Sequence, residues 1–575
     1  MFGVRHISDG FGHYHSAEQI RCETEANMRS LKGIVPIVCS LLLIVCLVKF
    51  REDGAEDFSS YTIQERRNRA EIPRTKSPQY HLGKRRMNVF LMMTDDMRTQ
   101  LGCYSGEDFS FPTRQQKMST PNFDRLAAKS LLVKRAYAQY SLCGPSRTSM
   151  LTSRRPDTTR VYGNERYWRV VGGNFTTLPQ YFKQHGYHVI GLGKVFHQFA
   201  SSNNQDPISW TEPYFHPPYT DLEYYPSDAA GYKAVTPEQR RDIDLPLTDE
   251  ASMEHVRGRL EQIAPEARTG KRPFFIALGF CKPHLNFVCP SEFFKHYPLE
   301  TKPHYLPVKE WQTPVVSEYC NMANVSFTDD GRKRLTDSGL RHLRQAYSAC
   351  ISYVDSLVGQ VLDLIDKHGL AESTIVAFVG DHGHHNGENA FWGKQTNYEL
   401  ATHIPMMIHI PGKTDHGIVT RSLVEGVDVY PTIVEAAGLG IIPWCPPGSS
   451  SVPICTEGQS MLPLIADPEI NLREAAFHQV RQSGFMAYAI RTDRHRYVAY
   501  AKVQRETKDN GTDTHTNIWE HDEYWTELYD LYGDPEERYN KTDSPEYQEV
   551  KAVLDRRLKS FFTGGFNIPT KEKKA

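Results

Sequence analysis

The chain has 575 residues, of which 67 are Lys or Arg and 69 are Asp or Glu, so its net charge is −2 when His is neutral. This length predicts a large hydrophobic core and more than one structural unit. With 39% hydrophobic residues, the composition excludes a polytopic membrane protein and a largely disordered chain. The balanced charge excludes a globally basic surface for nucleic acid. An anionic substrate would therefore need a local cluster of cations.

The N-terminal region predicts entry into the secretory pathway. Sixteen uncharged residues separate Lys32 from Lys49. That length lies between the roughly 7–15 residues of a signal-peptide core and the about 20 of a spanning helix. The basic residues before this segment favour a cytoplasmic N-terminus. We expect a cytoplasmic or n-region at 1–32, a signal peptide or type II signal-anchor at 33–49 and a polar linker at 50–84. A buried core helix of a cytosolic domain is the alternative.

Short apolar runs then alternate with helical patterns. The runs predict buried strands at Val89–Met93, His188–Leu192, Phe274–Leu278, Ile375–Val379 and Met406–Ile410. Apolar residues recur every three or four positions from Leu340 to about His368, which predicts a long helix. Residues 201–250, rich in Pro, Tyr and Asp, predict a long excursion beside a substrate cleft. The alternation predicts an α/β domain over residues 85–445, with a large, doubly wound, mostly parallel sheet flanked by helices.

A Pro-, Gly- and Ser-rich break at 443–453 separates this domain from a second unit. Strand patterns follow at Phe485–Ile490 and Arg496–Ala501, and a helical pattern at Glu546–Phe562. We therefore expect a smaller C-terminal α+β subdomain over 446–565, with a tail at 566–575.

Asparagine and cysteine patterns agree with a lumenal location. Asn-x-Ser/Thr acceptors for N-glycosylation occur at Asn174, Asn324, Asn510 and Asn540. Cys445 and Cys455 bracket the Pro-rich break and predict a disulfide. Spacing leaves open the pairing of Cys103, Cys281, Cys289, Cys320 and Cys350. We expect a protein of the secretory lumen, placed in the lysosome, with Golgi retention, secretion and a single-pass anchored form as alternatives.

Acidic residues follow two of the predicted strands. Asp95 and Asp96 come after Val89–Met93, and Asp381 and His382 come after Ile375–Val379. Carboxylates gathered at one sheet edge repel each other unless a cation neutralises them. Oxygen ligands with one imidazole suit Ca²⁺ or Mg²⁺. Turns or helix caps are the alternative explanation for each pair.

A third feature is Cys143-Gly144-Pro145-Ser146-Arg147, at a predicted helix start. The helix dipole and Arg147 could activate Cys143 as a thiolate. A buried structural cysteine beside a Pro-started helix is the other reading of the same residues.

The pattern Cys-x-Pro-Ser-Arg resembles the sulfatase family, in which it directs oxidation of the cysteine to formylglycine. Further elements occur in the family's order, namely the strand with Asp95-Asp96, Gly193-Lys194-x-x-His197, Lys282-Pro283-His284 and Gly380-Asp381-His382-Gly383. The resemblance covers roughly residues 86–562. Stretches such as Thr94–Arg98 and Gly193–His197 are similar to the branch of the family that removes 2-O-sulfate from iduronate.

The resemblance implies one Ca²⁺ bound by Asp95, Asp96, Cys143, Asp381 and His382. It also implies a catalytic set made up of Cys143, Arg147, Lys194, His197, His284 and Lys394. In this reading Arg147 and Lys194 steady the formylglycine. His284 and Lys394 hold the sulfate, and His284 protonates the leaving oxygen.

The same resemblance implies how the reaction proceeds. A formylglycine-generating enzyme first oxidises Cys143, and the hydrated aldehyde then carries two hydroxyls. One hydroxyl attacks sulfur and displaces the sugar oxygen, which leaves a sulfate ester on residue 143. The second hydroxyl collapses to the aldehyde and expels sulfate, with His197 as base. A serine would leave an ester with no such exit.

The predicted function is a sulfuric ester hydrolase that removes 2-O-sulfate from terminal iduronate of heparan sulfate and dermatan sulfate. Its partners would be sulfated glycosaminoglycans and the formylglycine-generating enzyme, with no nucleic acid and no membrane beyond the N-terminal anchor. Two departures from the pattern bear on this, because Ser153 replaces a Gly of the family and His384 replaces a Trp of the iduronate branch. The alternatives are a sulfatase of different sugar preference, a phosphodiesterase of the same superfold, and a catalytically silent glycoprotein that binds sulfated glycan.

Overall fold

The computed structural model describes residues 86–105, 117–219, 232–242, 246–299, 337–388, 391–482, 484–502, 506–507, 513–514 and 524–564. The predicted N-terminal segment, the linker and the tail lie outside the described residues. So do Asn324, Asn510, Cys320 and parts of the excursion at 201–250. The domain boundaries given above stay predictions.

The strands, in chain order, are β1 Asn88–Thr94, β2 Leu131–Tyr137, β3 His188–Gly193, β4 Tyr232–Val235, β5 Phe274–Gly279, β6 Phe287–Pro290, β7 Thr374–Gly380, β8 His385–Asn386, β9 Trp392–Gly393, β10 His403–His409, β11 Ile418–Glu425, β12 Ala476–Gln482, β13 Phe485–Arg491, β14 His495–Lys502, β15 Glu506–Thr507, β16 Asp513–Thr514 and β17 Tyr524–Asp530.

The helices are α1 Pro121–Ala127, α2 Cys143–Thr152, α3 Pro156–Thr159, α4 Trp168–Val171, α5 Leu178–Gln184, α6 Pro237–Asp242, α7 Thr248–Thr269, α8 Ser291–Phe294, α9 Asp337–Lys367, α10 Glu399–Thr402, α11 Val429–Ala436, α12 Pro463–Ala466 and α13 Gln548–Thr563.

A seven-stranded sheet, in the order β11-β2-β10-β7-β1-β5-β3, organises the larger part of the molecule. Its strands run parallel except β10, which is antiparallel to both β7 and β2. The predicted mostly parallel sheet is therefore confirmed. The direction of β10 could not be predicted, because an apolar run has the same pattern in either orientation.

Helices cover this sheet on both faces, which explains why its central strands are apolar at every position. On β1, Phe90 and Met92 face the hydrophobic cluster that includes α9 and α7, whereas Val89 and Leu91 face the cluster of α5 and α11. By length and composition alone, Arg341–Lys367 within α9 could cross a membrane, but 78% of its apolar window is buried inside the molecule. This burial is typical of a core helix.

A second, antiparallel sheet, in the order β12-β13-β14-β17, follows the Pro-rich break. Helix α13 packs on one face of this sheet through Leu554 and Leu558. The other face contacts Tyr140 and Leu142, which precede α2. The predicted smaller α+β unit is confirmed, and its second face lies directly behind the segment that leads to Cys143.

Candidate active site

Parallel pairing of β1 and β7 brings the two predicted acidic pairs to one sheet edge. Thr94 is in register with Gly380, so Asp95 and Asp381 leave the sheet side by side. All four side chains of Asp95, Asp96, Asp381 and His382 are buried. The backbone N–H of Asp96 donates to Oδ1 of Asp381 at 3.1 Å, which fixes the turn after β1.

Cys143 is the first residue of α2, and its thiol lies between the two acidic pairs. Sγ is 3.3 Å from Oδ1 of Asp95 and 3.3 Å from Nε2 of His382. It is also 3.1 Å from Nζ of Lys394 and 4.0 Å from Nζ of Lys194. The structure therefore brings together residues that are up to 299 positions apart in the sequence (394 − 95).

Arg147 lies one helical turn further along α2 and is completely buried. Its Nε is 2.8 Å from Oδ2 of Asp381, and one terminal nitrogen donates to the carbonyl of Thr94 at 2.9 Å. Because the guanidinium contacts the ends of both β1 and β7, it sets the position of α2 relative to the acidic edge. Burial opposes its charge, but Asp381 and Asp95 raise the pKa of Arg147 above its ordinary value.

Two lysines reach the same point from different loops. Nζ of Lys194 pairs with Oδ2 of Asp95, and Nζ of Lys394 lies 2.5 Å from Oδ1 of Asp96. Lys194 follows Gly193, whose φ is +72°. A Cβ on Gly193 would lie 2.0 Å from the carbonyl oxygen of Gly279. Only glycine permits this close approach of β3 and β5, and the approach places Lys194 in the site.

His197 and His284 lie at the more open side of the cluster, where each is partly exposed. Nδ1 of His197 is 2.9 Å from the carbonyl of Gln198, and Nδ1 of His284 is 2.6 Å from that of Leu285. Nε2 of His284 is 3.9 Å from Oδ2 of Asp96. All the sequence-predicted catalytic residues thus meet at one edge of the sheet.

The electrostatics distinguish the cysteine from its neighbours. Burial and the adjacent Asp95 raise the pKa of Cys143 to about 12. This environment therefore opposes ionisation of the Cys143 thiol. Burial opposes ionisation of Asp95 as well, but Lys194 and the other nearby cations hold the pKa of this carboxyl well below its usual value.

The donor set fits a hard divalent cation. Two overlapping groups, each with donor atoms within 4.8 Å of one another, share Asp95 and Cys143. Asp381 and His382 complete one group, and Asp96 and His284 complete the other. Three buried carboxylates with imidazole nitrogen match the ligands of Ca²⁺ or Mg²⁺ better than those of a soft metal.

One supporting residue was not predicted from the sequence. Asp249, in the first turn of α7, accepts hydrogen bonds from the backbone N–H groups of Cys281 at 2.7 Å and Lys282 at 3.0 Å. These contacts hold the turn that carries His284. No local pattern marks Asp249, because its partners lie about 30 positions away and are backbone groups.

The predicted modifications are placed as follows. Cys445 and Cys455 form a disulfide with Cα atoms 4.9 Å apart, which confirms that pairing. Cys103, Cys281, Cys289 and Cys350 are free thiols in the structure. Asn174 is exposed, whereas Asn540 is partly buried and its side-chain oxygen accepts from the N–H of Leu528 at 2.9 Å.

Known proteins match this chain over most of its described length. Residues 87–439 match the family model described as sulfatase, and residues 387–563 match that of the C-terminal region of N-sulphoglucosamine sulphohydrolase. The chain is 37% identical over 403 residues to iduronate 2-sulfatase of Mus musculus. This match covers 63% of this chain and 70% of that protein. It is 29% identical over 447 residues to a sulfatase of Formosa agariphila. This match covers 75% of this chain and 82% of that protein.

Solved structures share the fold. One, a protein in complex with its substrate D-glucosamine-2-N,6-O-disulfate, has a TM-score of 0.62 at 19% identity and covers 83% of this chain and 98% of its own. Phosphonate monoester hydrolase of Agrobacterium radiobacter has a TM-score of 0.59 at 18% identity and covers 84% and 96%. At such identities the likeness shows the architecture and does not distinguish between substrates.

Proposed function

Because this chain belongs to the sulfatase family, we propose that it removes 2-O-sulfate from the terminal iduronate of heparan sulfate and dermatan sulfate. The observation that carries the chemistry is the convergence of Cys143 with two lysines and three buried carboxylates at one sheet edge. The substrate assignment is supported by the similarity to iduronate 2-sulfatase, which extends over more than two thirds of that enzyme.

The cationic side chains suit a sulfate ester. Lys194 and Lys394 bring ammonium groups within 4.0 Å and 3.1 Å of Sγ of Cys143. Both lysines are buried, so their positive charges would act strongly on the oxygens of a sulfate held on residue 143. This is the local cation cluster that the near-neutral net charge required. Arg147 supports it by holding Asp381 and the end of β1 in place.

Two histidines can move protons at this point. His284 and His197 each have Nδ1 within hydrogen-bond distance of a backbone carbonyl. Because Nδ1 donates its proton there, Nε2 is the nitrogen that takes up or releases a proton. Nε2 of His284 faces the acidic edge, and in this proposal His284 protonates the departing sugar oxygen from its imidazolium form, in which Nε2 also carries a proton. In this proposal His197 takes up the proton of a hydroxyl on residue 143.

Two groups complete the site in this proposal. Asp95, Asp96, Asp381 and His382 would hold one Ca²⁺, which supplies fixed positive charge for the sulfate oxygens. Oxidation of Cys143 to formylglycine supplies an aldehyde hydrate, a nucleophile that the thiol itself does not offer. The raised pKa of the Cys143 thiol is consistent with a requirement for this oxidation, because an un-ionised cysteine is a poor nucleophile.

The test uses the full chain, produced together with a formylglycine-generating enzyme. The peptide containing residue 143 is weighed for conversion of thiol to aldehyde. The protein is then offered disaccharides sulfated at iduronate O2, glucosamine N or glucosamine O6, with Cys143→Ala as the matched inactive control. We expect sulfate release from the iduronate 2-sulfate alone. Release from a glucosamine substrate without release from iduronate would overturn the substrate assignment, and a fully unconverted thiol would overturn the mechanism.

The proposal includes a lumenal, lysosomal location. The disulfide between Cys445 and Cys455 and the exposed acceptor Asn174 support it. Treatment of the cell-derived protein with a glycosidase should increase its electrophoretic mobility, and Asn174→Gln should remove part of that shift. Unchanged mobility of the wild-type protein would argue against passage through the lumen.

A further inference from the structure

Asp96 is held in an uncommon backbone conformation. Its φ is +61°, in the left-handed region that residues other than glycine rarely adopt, and this conformation costs free energy that surrounding contacts must offset. In it, the carboxylate of Asp96 faces Lys394, whose Nζ is 2.5 Å from Oδ1, and His382, whose Nδ1 is 3.4 Å from the same oxygen. The place of this carboxylate in the acidic edge therefore depends on the contacts that hold the backbone of Asp96.

The hydroxyl of Tyr347, on α9, holds that backbone directly. It donates to the carbonyl of Asp96 at 2.7 Å and accepts from the N–H of Arg98 at 3.1 Å, so it bridges the two peptide groups that flank Met97. The N–H of Asp96 donates to Oδ1 of Asp381 at 3.1 Å, which means that side chains bind both polar backbone groups of Asp96. Because Tyr347 is completely buried, removal of its hydroxyl leaves the carbonyl and the N–H without an equivalent partner.

The ring of Tyr347 is fixed by two other segments that supply the site. It stacks on His384, two residues after His382, with ring centroids 5.8 Å apart at 21°. It meets Phe287, three residues after His284, edge-on at 5.6 Å and 79°. Tyr347 therefore contacts the turn after β1, the loop after β7 and the start of β6, so its position couples all three.

We infer that Tyr347 is a positioning residue for the proposed reaction, which holds the carboxylate of Asp96 where it binds the divalent cation and pairs with Lys394. This inference rests on the proposed function, which assigns the cation to the acidic edge. Nζ of Lys394 is 3.1 Å from Sγ of Cys143, so a displaced Asp96 would also displace one of the two ammonium groups beside residue 143. A role in core packing alone is the alternative, since Tyr347 belongs to the hydrophobic cluster of α9 and α7.

Tyr347→Phe separates these roles, because it keeps the ring and its packing and removes only the hydroxyl. The full chain is depleted of metal by a chelator and titrated with Ca²⁺ in a calorimeter. We expect the dissociation constant for Ca²⁺ to rise about 10–100-fold, the range typical of residues that orient metal ligands. At low Ca²⁺, kcat/KM for the iduronate 2-sulfate disaccharide should fall by a similar factor, and saturating Ca²⁺ should restore part of the loss. A loss of packing alone would not be restored by the cation.

Tyr297→Phe is the matched control for the loss of a buried hydroxyl. Tyr297 is also completely buried, and its hydroxyl accepts from the N–H of Ser119 at 3.0 Å and shares a hydrogen bond with the hydroxyl of Ser352 on α9. These partners lie outside the acidic edge. We therefore expect Tyr297→Phe to lower the melting temperature about as much as Tyr347→Phe does, and to leave the affinity for Ca²⁺ at the wild-type value.

Unchanged Ca²⁺ affinity in Tyr347→Phe would overturn the positioning role, as would equal losses of affinity in the two variants. Failure of the proposed function has a different signature, because the wild-type protein would then bind Ca²⁺ but release no sulfate from the iduronate disaccharide. The comparison of Ca²⁺ affinities would still decide the role of Tyr347 in that case. A wild-type protein that binds no Ca²⁺ would reject the inference together with the cation site.

Discussion

Asp249 offers the sharpest test of how the site is held together. Its carboxylate is 2% exposed and receives the N–H groups of Cys281 and Lys282 at 2.7 Å and 3.0 Å. Asp249→Asn keeps one oxygen acceptor but turns an NH₂ group toward the second N–H. One charge-assisted hydrogen bond is lost and a buried donor is left unpaired, which together cost about 2–4 kcal/mol of unfolding free energy.

The same change should affect catalysis through His284. The N–H of His284 donates to the carbonyl of Cys281 at 3.1 Å, so a shift at Cys281 is passed to the histidine. Since a displacement of about 1 Å costs on the order of a hundredfold in rate, we expect kcat/KM for the iduronate 2-sulfate disaccharide to fall about 10–100-fold, mainly through kcat. Initial rates and urea unfolding, both at fixed Ca²⁺, measure the two effects.

Glu254→Gln is the control for this experiment, because Glu254 lies on the same helix, α7, and its side chain is exposed. It should retain wild-type rates and stability within experimental error. This role of Asp249 is refuted if Asp249→Asn stays within threefold of the wild-type kcat/KM. It is refuted equally if the rate per folded molecule is unchanged and only the folded fraction declines.

Three further results are expected. Gly279→Ala should lower kcat/KM at least tenfold and destabilise the fold by about 1–3 kcal/mol, because its Cβ would lie 2.0 Å from the carbonyl of Lys194. Gly258→Ala is the control, because a Cβ at this position on α7 meets open space. It should stabilise the fold by about 0.5–1 kcal/mol and keep the wild-type rate. Burial raises the pKa of Glu527 from 4.5 to about 8, so between these values the unfolded chain ionises first and stability is lost as pH rises. Between pH 5 and pH 8, the unfolding free energy of the wild-type protein should fall by on the order of 2–4 kcal/mol more than that of Glu527→Gln. Urea titrations at each pH measure this difference. Equal pH dependence of the unfolding free energy in the two proteins would contradict it. Removal of divalent cations by a chelator should abolish sulfate release and lower the melting temperature, and addition of Ca²⁺ should restore both. Full activity after thorough chelation would contradict a metal at the acidic edge.

Local sequence patterns are enough to predict the main strands and helices of this protein and the chemistry of the residues that follow them. Uninterrupted apolar runs such as Val89–Met93 are sufficient to indicate strands buried on both faces, because both faces of the sheet are covered by helices. The acidic residues directly after two such runs indicate the functional edge, since parallel strands end on the same side. The run from Cys143 to Arg147 is local and specific, and it is sufficient to indicate the family.

How these segments meet in space depends on long-range packing. The antiparallel direction of β10, the contact of Lys394 with Cys143 and the support of His284 by Asp249 all depend on pairing between segments that are far apart in the chain. Packing also bears on Cys143, because burial and the adjacent Asp95 raise the pKa of its thiol, whereas a helix start by itself favours a lower one. The direction of a strand, the burial of a side chain and its hydrogen bonds to distant backbone groups all depend on tertiary packing. A local pattern of residue types does not predict them.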